Sequence, residues 1–303
     1  MKTIQRIIPE WLFALVLTVI FSGASLNLAA EITSQGEVRT DSIKSEILNV
    51  TRKYSVYLPE SYSAQTQRKY PVLYLLHGLG DNHKGWVSAG HLQDIAGQSV
   101  LAGRSTEMIV IVPDASKPKD GYFNVEDWPY ETFFFDEFIP YIEKTYRIIG
   151  DQAHRAVAGY SMGGGGATAY ALKHPDMFSS VFAMSALMTL PNQGRAPERN
   201  PKMEEFGRSV LANDCIILVA YSDQQTLEKL REIRWFLDCG DDDFLLEVNY
   251  DFYREMQKAK IPCQLRVRDG DHTMEYWRVS LDMALSFVSV GFVNQGNLYQ
   301  GKE

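Results

Sequence analysis

A serine hydroxyl attacks a carbonyl carbon only when a base takes its proton and its neighbours leave it an open approach. Ala156-Val157-Ala158-Gly159-Tyr160-Ser161-Met162-Gly163-Gly164 has the form that meets the second condition, an apolar run ending in Gly-x-Ser-x-Gly before a helix-compatible stretch. A sharp strand-to-helix turn would hold Ser161 in a strained conformation and crowd the positions two before and two after it, and both are glycine. The following helix would aim its free amides back at the turn, so the Met162 NH can meet negative charge developing on a substrate oxygen. No Lys-Ser/Thr follows the glycines and the spacing is not Gly-x-Gly-x-x-Gly, so phosphate and dinucleotide loops are excluded. No cofactor is expected.

Gly-x-Ser-x-Gly carries weight only if a base and an acid follow in the right places. Of six histidines, His154 precedes the elbow strand and His174 ends the helix after it, which places both at the far end of the sheet from Ser161. His77, His83 and His91 come before the serine. His272, in Arg268-Asp269-Gly270-Asp271-His272-Thr273, lies just past the last predicted strand on the serine's edge, and is the expected base. The acid should leave the strand between them, which ends at Cys239-Gly240 and runs into Asp241-Asp242-Asp243. A buried carboxylate there would fix the imidazole tautomer and stabilise the imidazolium. Asp243 is the expected acid and also a candidate helix N-cap. Asp238, Asp241 and Asp242 remain alternatives, and the acidic run could instead be a solvated loop or a weak calcium site. No metal is expected. The second oxyanion donor should come from His77-Gly78-Leu79-Gly80, with the Leu79 NH as the candidate.

The elements that must position these groups are legible as alternating strands and helices. Ser45 to Leu58 reads as two opening antiparallel strands. Pro71 to Leu76, Met108 to Val112, Phe178 to Ala186, Ile233 to Gly240 and Cys263 to Arg268 read as buried strands. Phe133 to Tyr146, Phe244 to Lys260 and Thr273 to Val290 read as helices, with Pro140 expected to kink or break the first. Leu190 to Arg231 is mixed and carries no clear pattern. Such alternation predicts an α/β fold, a mostly parallel sheet with helices on both faces and its chemistry beyond the carboxyl ends of the strands.

Lys2 and Arg6, the apolar stretch Trp11 to Phe21, and the small residues at Ser22-Gly23-Ala24 or Leu28-Ala29-Ala30 predict a secretory signal over residues 1–30. Residues 31–303 then form a single catalytic domain in a periplasmic or secreted protein. The formal charge is −8 without a lysine or arginine cluster, so neither nucleic acid nor a stable membrane partner is expected. Cys215, Cys239 and Cys263 are too few for a disulfide scaffold, and core packing is their expected use. The sequence leaves the oligomeric state open.

Val-Tyr-Leu-Pro at 56–59, Leu-Leu-His-Gly at 75–78, Gly-Tyr-Ser-Met-Gly-Gly at 159–164, Asp-Cys-Gly-Asp-Asp-Asp at 238–243 and Gly-Asp-His-Thr-Met-Glu-Tyr-Trp at 270–277 together resemble an esterase family of α/β-hydrolases. That family holds bacterial feruloyl esterases, S-formylglutathione hydrolase and the mycolyltransferases. The resemblance runs from about residue 45 to 290 and implies Ser161 as nucleophile, Asp243 as acid, His272 as base, and Leu79 with Met162 as the oxyanion hole. It implies carboxylic ester hydrolysis. With export, it points to small-molecule or polysaccharide esters of the plant cell wall, such as feruloyl or acetyl groups on xylan. Acyl transfer to a sugar or lipid hydroxyl, siderophore or short-chain acyl esters, and a non-catalytic binding protein are the alternatives. Trp86, Trp128 and Trp277, with Tyr122, Phe123, Tyr130 and Tyr276, lie near the reactive edge and could hold an aromatic acid or a sugar, although packing is the commoner use for any one of them.

Overall fold

The structure is a computed structural model that describes residues 35–191 and 201–299; the signal expected over residues 1–30 lies outside them. Its strands are β1 (Glu37–Ser45), β2 (Val50–Leu58), β3 (Val72–Leu76), β4 (Ile109–Pro113), β5 (Asn124–Val125), β6 (Trp128–Pro129), β7 (Arg155–Tyr160), β8 (Ser180–Met184), β9 (Arg234–Gly240) and β10 (Cys263–Arg268). Eight form one sheet in the order β1-β2-β4-β3-β7-β8-β9-β10, while β5 and β6 pair apart from it. β1 and β2 are antiparallel, β2 meets β4 antiparallel, and every other pairing in the large sheet is parallel. This is the mostly parallel sheet expected of an α/β-hydrolase.

β3, β4 and β8 are buried at every position, because helices cover both faces of a parallel sheet. Alternate side chains feed two cores. Val72, Tyr74 and Leu76 join Phe134, Tyr170 and Phe252 on one face, while Leu73 and Leu75 join Leu92, Leu281 and Leu285 on the other. Helices Met162–Lys173 and Leu246–Lys258 therefore pack opposite Leu92–Leu101 and Met274–Tyr299.

Three elements differ from expectation. The opening pair is β1 and β2, so the first strand lies upstream of Ser45, and residues 46–49 are the turn. β1 is an edge strand with mostly exposed side chains, which gives it no apolar period to read. Pro140 neither breaks nor ends its helix. The stretch 130–145 stays helical through a π segment, Phe134–Phe138, where the Ile139 NH bonds the Phe134 carbonyl five residues back. That wider turn absorbs a residue that lacks an NH and would crowd the carbonyl four before it. The unpatterned stretch holds helices Pro201–Ala212, Cys215–Ala220 and Gln224–Glu232. The carboxyl ends of β3, β7, β9 and β10 lie along one edge, and the loops leaving them build the site.

Candidate active site

Ser161 sits between β7 and helix Met162–Lys173 with φ 53° and ψ −120°. Strain of this kind costs on the order of 1–3 kcal/mol and persists only where the surroundings hold it. Here they do: the Ser161 NH donates to the Met184 carbonyl at 2.9 Å, and its carbonyl accepts from Leu187 and Gly165 at 2.9 and 3.1 Å. A Cβ on Gly159 would lie 2.5 Å from the Gly163 backbone, and one on Gly163 would lie 2.6 Å from the His77 carbonyl, so the turn admits only glycine at both.

Three distant segments converge on the serine. His272 Nε2 lies 3.0 Å from Ser161 Oγ, and His272 Nδ1 lies 3.0 and 2.9 Å from the two Asp243 oxygens. A carboxylate can only accept, so Nδ1 carries the hydrogen, and Nε2 is the nitrogen that faces the hydroxyl. Burial alone would raise the Asp243 carboxyl. Hydrogen bonds from His272, Ser185 and the Leu245 amide outweigh it and hold the group below the usual carboxylate range. Asp243 does not cap the next helix, which begins at Leu246 with Leu245 as its N-cap; its Oδ1 instead accepts the Leu245 NH at 2.8 Å.

Each competing aspartate has another occupation. Asp241 Oδ1 accepts the Gly270 NH at 3.0 Å, while the Asp241 and Asp242 amides donate to the Arg268 and Gly270 carbonyls. These bonds stitch the loop after β9 to the loop after β10 and thereby bring Asp243 to His272. Asp238 is fully buried, paired with Arg268 at 2.8 Å and hydrogen-bonded by Tyr276 and Ser280. The exposed carboxylates of Asp241, Asp242 and Asp269 approach within 4.8 Å of one another.

Two further side chains support the relay. The Trp277 ring stands edge-on to His272, 4.9 Å between centroids at 89°, and its Nε1 donates to Ser185 Oγ at 3.0 Å. Ser185 in turn helps to hold the Asp243 carboxyl low. Ser185 is fully buried at φ 43°. No local motif marks it, although its place at the end of β8, next to the elbow strand, is a usable signal.

The loop after β3 is held just as closely. The Tyr122 hydroxyl accepts the His77 NH at 2.8 Å and donates to the His77 carbonyl at 3.0 Å. His77 Nδ1 donates to the Gly78 carbonyl at 2.8 Å, and Nε2 accepts the Ala115 NH at 3.0 Å. Burial holds this imidazole's pKa low, in keeping with one nitrogen donating and the other accepting. Fixing the Gly78 carbonyl also fixes the peptide that carries the Leu79 NH, since the two groups share one plane. Among the described residues that NH has no acceptor. Met162, as the first helical residue, likewise has an NH without an intrahelical partner.

A cavity of about 720 Å³ opens over Ser161 beside Leu79, walled chiefly by Leu187, Leu190, Met203, Phe206, Leu211 and Phe244. Trp86, Trp128 and Trp277 are buried and form none of its wall. Trp86 donates to the Leu76 carbonyl and meets Tyr160 edge-on, Trp128 lies under Arg52, and Trp277 stacks on Tyr160. Tyr122, Tyr130 and Tyr276 are buried too. A ring near the carboxyl edge in sequence can face either core, and these rings face inward. Much of the wall comes instead from Leu190 and from helix Pro201–Ala212, in the stretch that carries no legible motif.

The three cysteines are free thiols. Burial raises Cys215 and Cys239 and pushes Cys263 up to about 12. Among the described residues no helix is long and apolar enough to cross a membrane.

Comparison with known proteins gives a consistent set. A family model described as "Putative esterase" matches residues 45–288. A solved ferulic acid esterase superposes with TM-score 0.82 at 49% identity, covering 85% of this chain and 99% of that one. An S-formylglutathione hydrolase from Staphylococcus aureus superposes with TM-score 0.70 at 21% identity, covering 84% and 100%, a likeness of fold alone. The endo-1,4-beta-xylanase/feruloyl esterase of Xylanibacter ruminicola is 30% identical over 173 residues, which are 54% of this chain and 24% of that protein. The chain thus spans about a quarter of that curated relative's length.

Proposed function

Since the chain belongs to the esterase family, we propose that it is an exported serine carboxylic ester hydrolase acting on plant cell-wall esters, feruloyl esters first among them. The observation that carries the chemistry is the unbroken contact from Ser161 Oγ through His272 to Asp243, with 3.0 Å on one side of the ring and 2.9 Å on the other. Those are the distances general-base activation of a nucleophile requires.

In this reading His272 Nε2 takes the Ser161 proton as Oγ adds to the ester carbonyl. The Leu79 and Met162 amides receive the charge on the carbonyl oxygen, each worth about 10²- to 10³-fold in turnover. His272 then returns the proton to the departing alcohol, which leaves an acyl-serine. Water, deprotonated by the same nitrogen, releases the acid and restores Ser161. Asp243 keeps the ring oriented and stabilises its cationic form. The apolar cavity at Ser161 and the 49% identity to a ferulic acid esterase support an aromatic acyl group.

Export rests on the signal pattern at residues 1–30, with residues 31–303 as the catalytic domain. Amino-terminal sequencing of protein recovered outside the cytoplasm should begin after Ala24 or Ala30. Acid release from methyl ferulate, acetylated xylan, p-nitrophenyl acetate and a siderophore ester, measured in parallel, tests the substrate. The strongest kcat/KM is expected on methyl ferulate. No turnover of any ester, with no fluorophosphonate adduct on Ser161, would remove the reading.

A further inference from the structure

Helix Pro201–Ala212 forms part of the cavity wall through Phe206, Gly207 and Leu211. Its seventh residue, Gly207, is an anomaly in local terms. Glycine is the poorest helix former after proline because its backbone loses the most freedom on folding, and this one stands mid-helix, where neither capping nor termination calls for it. Backbone conformation does not require it either, since Gly207 is absent from the glycines with positive φ. Crowding does not require it: among the described residues, a Cβ built on Gly207 would meet only Leu190 Cδ1, at 3.5 Å, an ordinary contact. The elbow glycines, by contrast, would each place a Cβ within 2.6 Å of backbone.

What a side chain at 207 would change is the cavity. Gly207 lines it, and the one atom among the described residues that a Cβ would approach belongs to Leu190, which lines it as well. Any larger residue there would therefore grow into the space over Ser161. We propose that Gly207 is a specificity-determining residue, whose missing side chain keeps the cavity deep enough for a bulky apolar acyl group, aromatic or extended aliphatic, rather than acetyl. The occupant's class follows from the wall: Leu187, Leu190, Met203, Phe206 and Phe244 offer dispersion contact and hydrophobic burial. A two-carbon acyl group would leave most of about 720 Å³ unfilled.

The inference rests on the esterase reading above, and the experiment separates the two. Gly207→Leu and Gly207→Ala are compared with the parent protein on methyl ferulate and p-nitrophenyl acetate. Both replacements favour the helix, so thermal unfolding should come no earlier than in the parent. The kcat/KM ratio of ferulate to acetate should fall by about tenfold or more in Gly207→Leu and by less in Gly207→Ala, in line with the discrimination apolar pockets achieve per methylene group. An unchanged ratio in Gly207→Leu, whether both activities persist or both fall together, overturns the proposal. Failure of the esterase reading looks different: the parent protein itself turns over neither ester and takes no fluorophosphonate label.

Discussion

Of four imidazole–carboxylate pairs among the described residues, two with part-buried partners stand at opposite edges of the sheet. At the carboxyl edge His272 meets Asp243 at 2.9 Å; at the other, His174, closing the elbow helix, meets Glu131 at 3.2 Å. Both carboxyls lie below their ordinary range. Burial opposes that in each case, and hydrogen bonds overcome it, from His272, Ser185 and the Leu245 amide in one and from His174 and Lys173 in the other. The difference lies in what else each partner touches. Glu131 is shared with Lys173 at 2.6 Å, and the His174 ring lies against Phe135. Among the described residues no hydroxyl bonds the second nitrogen of His174, whereas that of His272 meets Ser161. The His174 pair is thus a structural tie, and the His272 pair differs from it in that its far nitrogen faces a hydroxyl.

Removing the nucleophile should separate the pairs most sharply. Ser161→Ala is expected to lower kcat by roughly 10⁴- to 10⁶-fold and to abolish fluorophosphonate labelling, while His174→Ala keeps both.

Asp243→Asn, which forces the wrong tautomer on His272, should cost about 10³- to 10⁴-fold in kcat. Asp241→Asn and Asp242→Asn should stay within about tenfold, since neither carboxylate touches the ring. Steady-state kinetics on methyl ferulate read all three, and the reverse ranking would move the acid to another residue.

Ser185→Ala removes the hydroxyl that accepts the Trp277 indole NH and helps to hold the Asp243 carboxyl low. It should lower kcat by about ten- to a hundredfold with little change in KM. Ser185→Thr, which keeps the hydroxyl, should recover part of the loss.

Glu131→Gln should leave kcat unaltered and destabilise the fold by about 1 kcal/mol, roughly 2–4 °C in Tm. The smallest effect is one of slope. Folding lowers the pKa of both carboxyls, so as the pH falls the unfolded chain takes up these protons first. Their contribution is complete above the ordinary carboxylate pKa of about 4 and is lost as pH falls through the lower folded-state values. Tm followed from pH 7 to 3 should drop less steeply in Glu131→Gln than in the parent.

How legible each part was depends on the range of the interaction behind it. Buried parallel strands such as Val72–Leu76 announce themselves because helices on both faces make every position apolar. β1 did not, because an edge strand can be polar throughout. Pro140 misled for a related reason: its local preference is to interrupt a helix, and the preceding π turn accommodates it. Among the site residues, Ser161 carries a local motif and His272 follows from strand order. Ser185 and the cavity wall carry neither. Trp86, Trp128 and Trp277 are readable as aromatic residues near the edge, with packing as the commoner use of each, and all three are buried.

The sequence by itself determined the alternation of strands and helices, the glycines that the elbow requires, and the chain order of serine, acidic run and histidine, because these rest on steric and polar preferences within a few neighbouring residues. Only the tertiary structure decided which of four aspartates faces His272, since the hydrogen bonds joining the loops after β9 and β10 hold Asp241 and Asp242 elsewhere and Arg268 holds Asp238. It also decided what surrounds the substrate. A cavity wall is formed by segments far apart in the chain, and the direction a side chain takes there is fixed by packing rather than by its neighbours in sequence.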